Sequence, residues 1–343
     1  MGLYKELNIT IGKGKHGKRN LITDVPGVTV GHVTVQGGPA HTGVTVIKPH
    51  GGNMFRDKVI AASAVINGFG KTMGLVQVEE LGTIETPIVM TNTLSIGTAS
   101  TALIKYMMQQ NDDIGTTAGT VNPLVCECND GNLNDIRGLY VTEDHVFEAL
   151  NNTSEDFEEG AVGAGTGMCC LSFKGGIGSS SRVIELDGKE YTIGALVLSN
   201  FGNHCSLRVD GAKEGERIQK IRNAEEKEDK GSIIMLIATD VPLNERQLKR
   251  VCRRAGVGLA RTGTYYGNGS GDIAIAFTTA NRIPQDRKTA VIDTKMLVDS
   301  AIDPVFEMTA DAVEEAILSS LVHAKTTTGR TGTVHSLMEY LGK

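Results

Sequence analysis

Apolar positions in the first half of this chain switch between a period of two and the helical period. Residues 28–30 and 32–35 alternate as a strand broken at Gly31, Gly37-Gly38-Pro39 marks a turn, and 44–47 reads as a second strand. Residues 58–67, rich in Ala, Val and Ile and stopped by Gly68, read as a short helix. A buried strand follows at 87–90. Helical spacing over 98–109 puts Ala102, Leu103 and Tyr106 on one face, and Thr142 is placed to cap a helix reaching about Leu150.

The second half is richer in strands. A glycine-dense stretch, 160–178, encloses the apolar run 168–171, and 191–199 reads as a strand ending at Asn200-Phe201-Gly202. Residues 212–230 carry 12 charged side chains, a density that predicts an exposed, poorly packed segment. A buried strand at 233–238, the turn Asp240-Val241-Pro242, a helix over 245–254 with Leu248, Val251 and Cys252 inward, a strand at 273–277 and a helix over 310–324 complete the pattern. Strands and helices mixed in this way predict an α/β fold of layered sheets covered by helices.

Composition narrows the function. The 343 residues suffice for one large domain or two ordinary ones, and 40% hydrophobic with 22% charged positions is enough for a core without staples. A formal charge of −6, no basic stripe, 4% aromatic residues and no Trp argue against a nucleic-acid partner. No stretch approaches the roughly 18 apolar residues of a membrane span, so no membrane partner is expected. Residues 1–20 are polar and lysine-rich without an apolar leader core, which predicts a cytoplasmic protein whose 6 cysteines are reduced thiols. Cys126-x-Cys128 lacks a second pair at zinc spacing, so no metal is expected.

Familiar motifs fail on context. Gly12 to Gly17 fits the spacing of a dinucleotide-binding loop, but Lys18-Arg19-Asn20 and Pro26 follow it, not a helix, so it reads as a basic surface loop. Gly70-Lys71-Thr72 lacks the earlier glycine of a phosphate loop and reads as a simple turn. There is no nucleophile elbow and no zinc-protease helix. His204 stands beside the later features but reads as structural.

The chemistry centres on Gly231-Ser232, which follows the charged segment and immediately precedes the apolar run 233–238. Taken alone the pair reads first as a turn before a strand. It is also where a self-cleaving hydrolase places its nucleophile. Breaking the Gly231–Ser232 bond leaves a hydroxyl and a free α-amine, a nucleophile and its base, on one residue. A second cluster, Gly267-Asn268-Gly269-Ser270-Gly271-Asp272, precedes the strand at 273–277. Two neighbouring strand starts would gather Ser232, Ser270 and Asp272, and a carboxylate there would hold the new amine's proton.

Several segments, in order, resemble the L-aminopeptidase/D-esterase family, which includes the β-peptidyl aminopeptidases. They include Asp24-Val25-Pro26-Gly27, Gly68-Phe69-Gly70-Lys71, Thr91-Asn92-Thr93, Gly165-Thr166-Gly167-Met168, Ser199-Asn200-Phe201-Gly202, Arg208-Val209-Asp210-Gly211, Gly231-Ser232 and Gly269-Ser270-Gly271-Asp272, and the likeness runs from about residue 19 to about 330. It implies a four-layer αββα sandwich related to the N-terminal-nucleophile hydrolases but with different connectivity. It also implies one domain, 1–343, that cleaves itself into 1–231 and 232–343 and assembles as a homo-oligomer, often a tetramer, of processed pairs. No cofactor is implied, and the partner is a short peptide or an amino-acid amide or ester.

By the same resemblance Ser232 is the nucleophile for self-cleavage and catalysis. Asn200 donates to the oxyanion, Ser270 and Asp272 tune the amine, and Glu127 receives the substrate's α-ammonium, with Asn129 beside it in the substrate site. The chain departs from the family just after Glu127, where Cys128 and Asn129 stand in place of a common aromatic residue. Two other readings compete. An acyltransferase of the ornithine acetyltransferase type shares the layout but uses threonine at the cleavage point, whereas an unprocessed binding protein on the same fold would leave the chain intact.

Overall fold

A computed structural model describes residues 9–222, 230–286 and 288–341. In the first half, β1 (Thr29–Gly37) and β2 (Ala40–Lys48) form a hairpin, and Gly31 pairs within β1 rather than breaking it. β3 (Asp57–Gly68) leads to α1 (Leu75–Leu81), β4 (Thr83–Ile84) and β5 (Ile88–Asn92). α2 (Ile96–Gln110), β6 (Leu124–Cys128) and α3 (Glu143–Asn151) follow, the last capped by Thr142 as its sequence predicts. The second half holds β7 (Cys169–Cys170), β8 (Phe173–Lys174), β9 (Gly176–Leu186), β10 (Lys189–Asn200), α4 (Glu214–Arg222) and β11 (Lys230–Thr239). α5 (Glu245–Arg261), β12 (Gly269–Pro284) and α6 (Asp303–Val322) complete the main elements.

These elements make two sheets, a four-stranded one in the order β1-β2-β5-β6 and a six-stranded one in the order β4-β3-β12-β11-β10-β9. Strand alternation assigns side chains to three cores. Leu196 and Leu198, Ile234 and Leu236, and Ile273 and Ile275 face the smaller sheet, where they meet Ile88, Met90, Leu124 and Cys126. Their neighbours Ala195 and Val197, Ile233 and Met235, and Ala274 and Ala276 face α5 and α6. Val44, Val46, Val89 and Val125 of the smaller sheet pack on α2 and α3 through Ala99, Leu103, Val146 and Leu150. The result is helix, sheet, sheet, helix, the αββα sandwich that the sequence implies.

Three sequence expectations are corrected. Residues 58–67 are not a helix but the body of β3, which pairs antiparallel with β12. The β-branched Val59, Ile60, Val65 and Ile66 suit a strand, and long-range pairing overrides the alanine content. The segment 212–230 is not wholly exposed, since α4 lies within it and buries Ile218 in the helix-side core; its residues 223–229 lie outside the described residues. The loop at 12–17 is not simply a surface loop. Lys15 bridges to Val183 of β9, and Gly12 runs so close to α6 that an added Cβ would meet the Asp311 carboxylate. All six cysteines are unbridged, and no described helix is long and apolar enough to cross a membrane.

Candidate active site

The site lies at one end of the six-stranded sheet, where β11 runs between β10 and β12. β11 is parallel to β12 and antiparallel to β10, so Ser232 pairs with Asn200 on one side and Gly271 on the other. Ser232 is thus the third residue of a strand that begins before the apolar run 233–238. By strand alternation its side chain shares the inter-sheet face with Ile234, and the Asn200 side chain shares it with Leu198. Directly opposed side chains in an antiparallel pair have Cβ atoms about 4.5–5.5 Å apart.

Gly231 sits where a Cβ has no room unless the strands shift. Its φ is +143°, and a Cβ added to it would come within 2.0 Å of the Asn200 carbonyl oxygen and 2.7 Å of Phe201 Cα. This close approach lays the Gly231 carbonyl beside the serine, and Ser232 Oγ donates to that carbonyl oxygen at 2.6 Å. Gly271 N–H in turn donates to Ser232 Oγ at 3.3 Å. Ser270 and Asp272 flank Gly271, and the Ser270 hydroxyl donates to Asp272 Oδ1 at 2.8 Å. The two neighbouring strand starts expected from sequence are therefore real neighbours, and their backbones set Ser270 and Asp272 on either side of the Gly271 that pairs with Ser232.

The orientation of the Asn200 amide is fixed by chemistry. Cys169 N–H can only donate, and it meets Oδ1 at 2.9 Å; the Asn129 carbonyl can only accept, and it meets Nδ2 at 3.0 Å. The amide nitrogen therefore belongs on the side that faces away from Cys169. Asn129 enters the site through this backbone carbonyl, while its own side chain closes a turn onto Gly131 N–H at 2.9 Å.

Glu127 stands near the end of β6 on the facing sheet, buried. Lys71 N–H donates to its Oε1 at 2.8 Å, and the Thr93 hydroxyl donates to Oε2. Two contacts tie its surroundings to the six-stranded sheet. Cys128 Sγ meets the Leu198 carbonyl of β10 at 3.5 Å, and a Cβ on Gly70 would sit 3.6 Å from Gly271 Cα and 3.7 Å from Glu127 Oε1. The turn at Gly70-Lys71 is thus part of the site, which its sequence did not suggest. A backbone N–H as a carboxylate partner leaves no residue-type signal, and neither do Gly271 N–H and Cys169 N–H. His204 is buried just beyond β10 and contacts the neighbouring Cys205.

A serine hydroxyl on a scissile-type carbonyl, a side-chain amide across the strand pair, a hydroxyl–carboxylate pair on the adjoining strand and a second carboxylate held by the Gly70-Lys71 turn can carry acyl transfer. Similarity to known proteins agrees. The model of peptidase family S58 matches residues 20–335. A β-peptidyl aminopeptidase of Sphingosinicella microcystinivorans is 39% identical over 93% of this chain and 85% of its own. The solved PH0078 protein of Pyrococcus horikoshii OT3 is 56% identical, with a TM-score of 0.94 over 98% of this chain and 96% of that one. The L-aminopeptidase D-Ala-esterase/amidase of Ochrobactrum anthropi, described as a prototype of the serine aminopeptidases and a variant of the Ntn hydrolase fold, is 38% identical with a TM-score of 0.88 over 95% and 93%. The chain belongs to peptidase family S58, as a hydrolase of the serine aminopeptidase kind.

Proposed function

We propose that this chain activates itself by cutting the Gly231–Ser232 bond and then removes N-terminal residues from short peptides, amides or esters. The observation that carries the reading is the Ser232 hydroxyl held on the Gly231 carbonyl between Asn200 and Gly271. Ser232 Oγ attacks the Gly231 carbonyl carbon. As the Oγ–C bond forms, the Oγ–H and C–N bonds break, and the departing nitrogen takes the proton that Oγ releases to become the α-amine of Ser232. Water then cleaves the ester, leaving the Gly231 carboxylate and a free Ser232 hydroxyl.

The new amine has an ordinary pKa of about 7.7–8.0, so near neutral pH part of it is unprotonated and suited to a general base. It takes the Oγ proton as the hydroxyl attacks the substrate carbonyl. Asn200 Nδ2 donates to the oxyanion, and Ser270 with Asp272 orients the amine. Glu127, with Thr93 and Lys71 N–H holding its oxygens, receives the substrate's α-ammonium, and a buried carboxylate without a cation is costly enough to favour a free amino end. Strand pairing of β11 with β10 and packing of α6 on β9 and β10 favour the two pieces staying together. We further propose a homo-oligomer of processed pairs, favoured by the exposed apolar side chains of Phe69, Val76 and Tyr265.

Intact mass under denaturing conditions tests the reading. The wild-type protein should give fragments 1–231 and 232–343, and Ser232→Ala should give one uncut chain. A full-length mass for both, with no hydrolysis of amino-acid amides, would remove it.

A further inference from the structure

Lys174 is the one charged residue between 160 and 181, and its side chain is wholly buried at the end of the two-strand hairpin β7–β8. A buried ammonium is expensive unless every N–H finds an acceptor. This one does: Nζ donates to the carbonyls of Gly165 at 3.0 Å, Met168 at 2.8 Å and Gly175 at 2.7 Å. No carboxylate among the described residues forms an ion pair with it. Full solvation by backbone alone shows what the charge is holding, namely the course of the 165–175 loop.

The Met168 contact reaches the active site. The carbonyl that accepts from Lys174 and the N–H that donates to Asn200 Oδ1 belong to the same peptide unit, Met168–Cys169. An ammonium on the oxygen of a peptide polarises its N–H, and hydrogen bonds in such a chain strengthen one another. The Gly175 contact is similar, because the N–H of the Gly175–Gly176 peptide lies 3.4 Å from the hydroxyl of Ser199, the neighbour of Asn200. The hairpin itself turns through two non-glycine residues at positive φ, Leu171 at +50° and Ser172 at +59°, which cost energy and persist only where the surroundings impose them.

We propose that Lys174 is a positioning residue that acts through the Met168–Cys169 peptide to hold and polarise the Asn200 amide, so that its Nδ2 donates more strongly to the oxyanion. The inference rests on the oxyanion role proposed for Asn200. Burial pulls the Lys174 ammonium down to about 8, so its charge is lost in mildly alkaline solution. The titratable groups near it are Asp130, Cys169, Cys170 and His41.

A double-mutant cycle on the processed protein tests this, using the amino-acid p-nitroanilide that the wild type turns over fastest. Asn200→Ala should lower kcat by about 10²–10³-fold. Lys174→Met should lower kcat on the order of tenfold at nearly constant KM in the wild-type background, and by less than about twofold in the Asn200→Ala background, because coupled residues are not additive. Equal losses in both backgrounds, or no loss in either, would overturn the inference. Wild-type kcat with Asn200→Ala would instead overturn the oxyanion assignment beneath it. Should Lys174→Met fail to fold, the pH profiles of wild type and Asn200→Ala decide: an extra alkaline loss of kcat above about pH 8 in the wild type alone supports the inference, and parallel profiles refute it. The Ser232 amine titrates in both proteins and cancels in the comparison.

Discussion

Gly231→Ala asks whether the residue before the nucleophile is glycine for a geometric reason. The new methyl would lie 2.0 Å from the Asn200 carbonyl oxygen and 2.9 Å from its carbon, both backbone atoms of a central strand. Ordinary carbon–oxygen contact is more than an ångström longer, so β10 and β11 must separate at Asn200, the proposed oxyanion donor. A φ of +143° adds strain of about 1–3 kcal/mol for a residue with a Cβ, and overpacking adds about 1–3 kcal/mol. The sum, on the order of 4 kcal/mol, lies within the roughly 5–15 kcal/mol stability of a domain, so the variant should fold with its melting temperature lowered on the order of 10 °C. A misplacement of about 1 Å costs about 10²-fold in rate, so self-cleavage, followed by intact mass after refolding, should slow by about that factor. Ser232→Ala is the control. It loses only hydrogen bonds of the hydroxyl, so it should melt within about 1 kcal/mol of wild type while never being cut. A Gly231→Ala protein that melts and processes like wild type would refute the close-approach argument.

Three further outcomes follow from the geometry. Glu127→Gln keeps the shape but removes the charge proposed to receive the substrate's amino end; the kcat/KM for free-amine substrates should fall about 10–100-fold, the worth of one charge-assisted hydrogen bond, while N-acetylated substrates remain poor. Burial lowers the His32 pKa to about 4, so the folded protein resists a proton that the unfolded chain accepts near pH 6.5. His32 therefore contributes fully above pH 6.5 and loses its contribution as pH falls to about 4, a loss on the order of 3 kcal/mol that urea titrations should show flattened in His32→Gln. Ser172→Gly relieves a positive φ in the β7–β8 turn and should raise stability by about 0.5–1 kcal/mol in the same titration.

Sequence reveals most of the strands near Ser232, because the nearly unbroken apolar runs in 191–199, 233–238 and 273–277 belong to strands buried on both faces. It hides β9, whose serines read as polar. In the fold each finds a partner: Ser179 Oγ donates to Ala195 O, Ser180 Oγ to Ala312 O and Ser181 Oγ to Asp24, all at 2.7 Å. It misreads β3 because alanine has helix propensity and the pairing that decides the matter, Ala61 with Phe277, spans more than two hundred residues. The neighbourhood of Ser232, Ser270 and Asp272 is foreshadowed because each lies just before an apolar run, and the parallel pairing of β11 with β12 sets those two runs side by side. The holders of Glu127 and Asn200 are not, since most of them are backbone N–H and C=O groups, which leave no residue-type signal. Lys174 did leave a signal, a solitary charge in an apolar, glycine-rich stretch.

Cost is concentrated around one side chain. Gly231 runs so close to the Asn200 carbonyl that only glycine, with its larger entropy cost on folding, leaves room there, the Leu171-Ser172 turn is strained, and a lysine with no ion-paired carboxylate among the described residues is buried beneath the peptide that grips Asn200 Oδ1. Each of these lowers stability, and each fixes the same amide relative to the same serine. A donor that must already be in place when charge develops on an oxyanion needs such fixing, because any reorganisation at that moment adds to the barrier. Stability given up at Gly231, Ser172 and Lys174 is therefore expected to return as rate. Substitutions that relax Asn200 without touching Ser232 or Glu127 should lower kcat while leaving KM nearly unchanged.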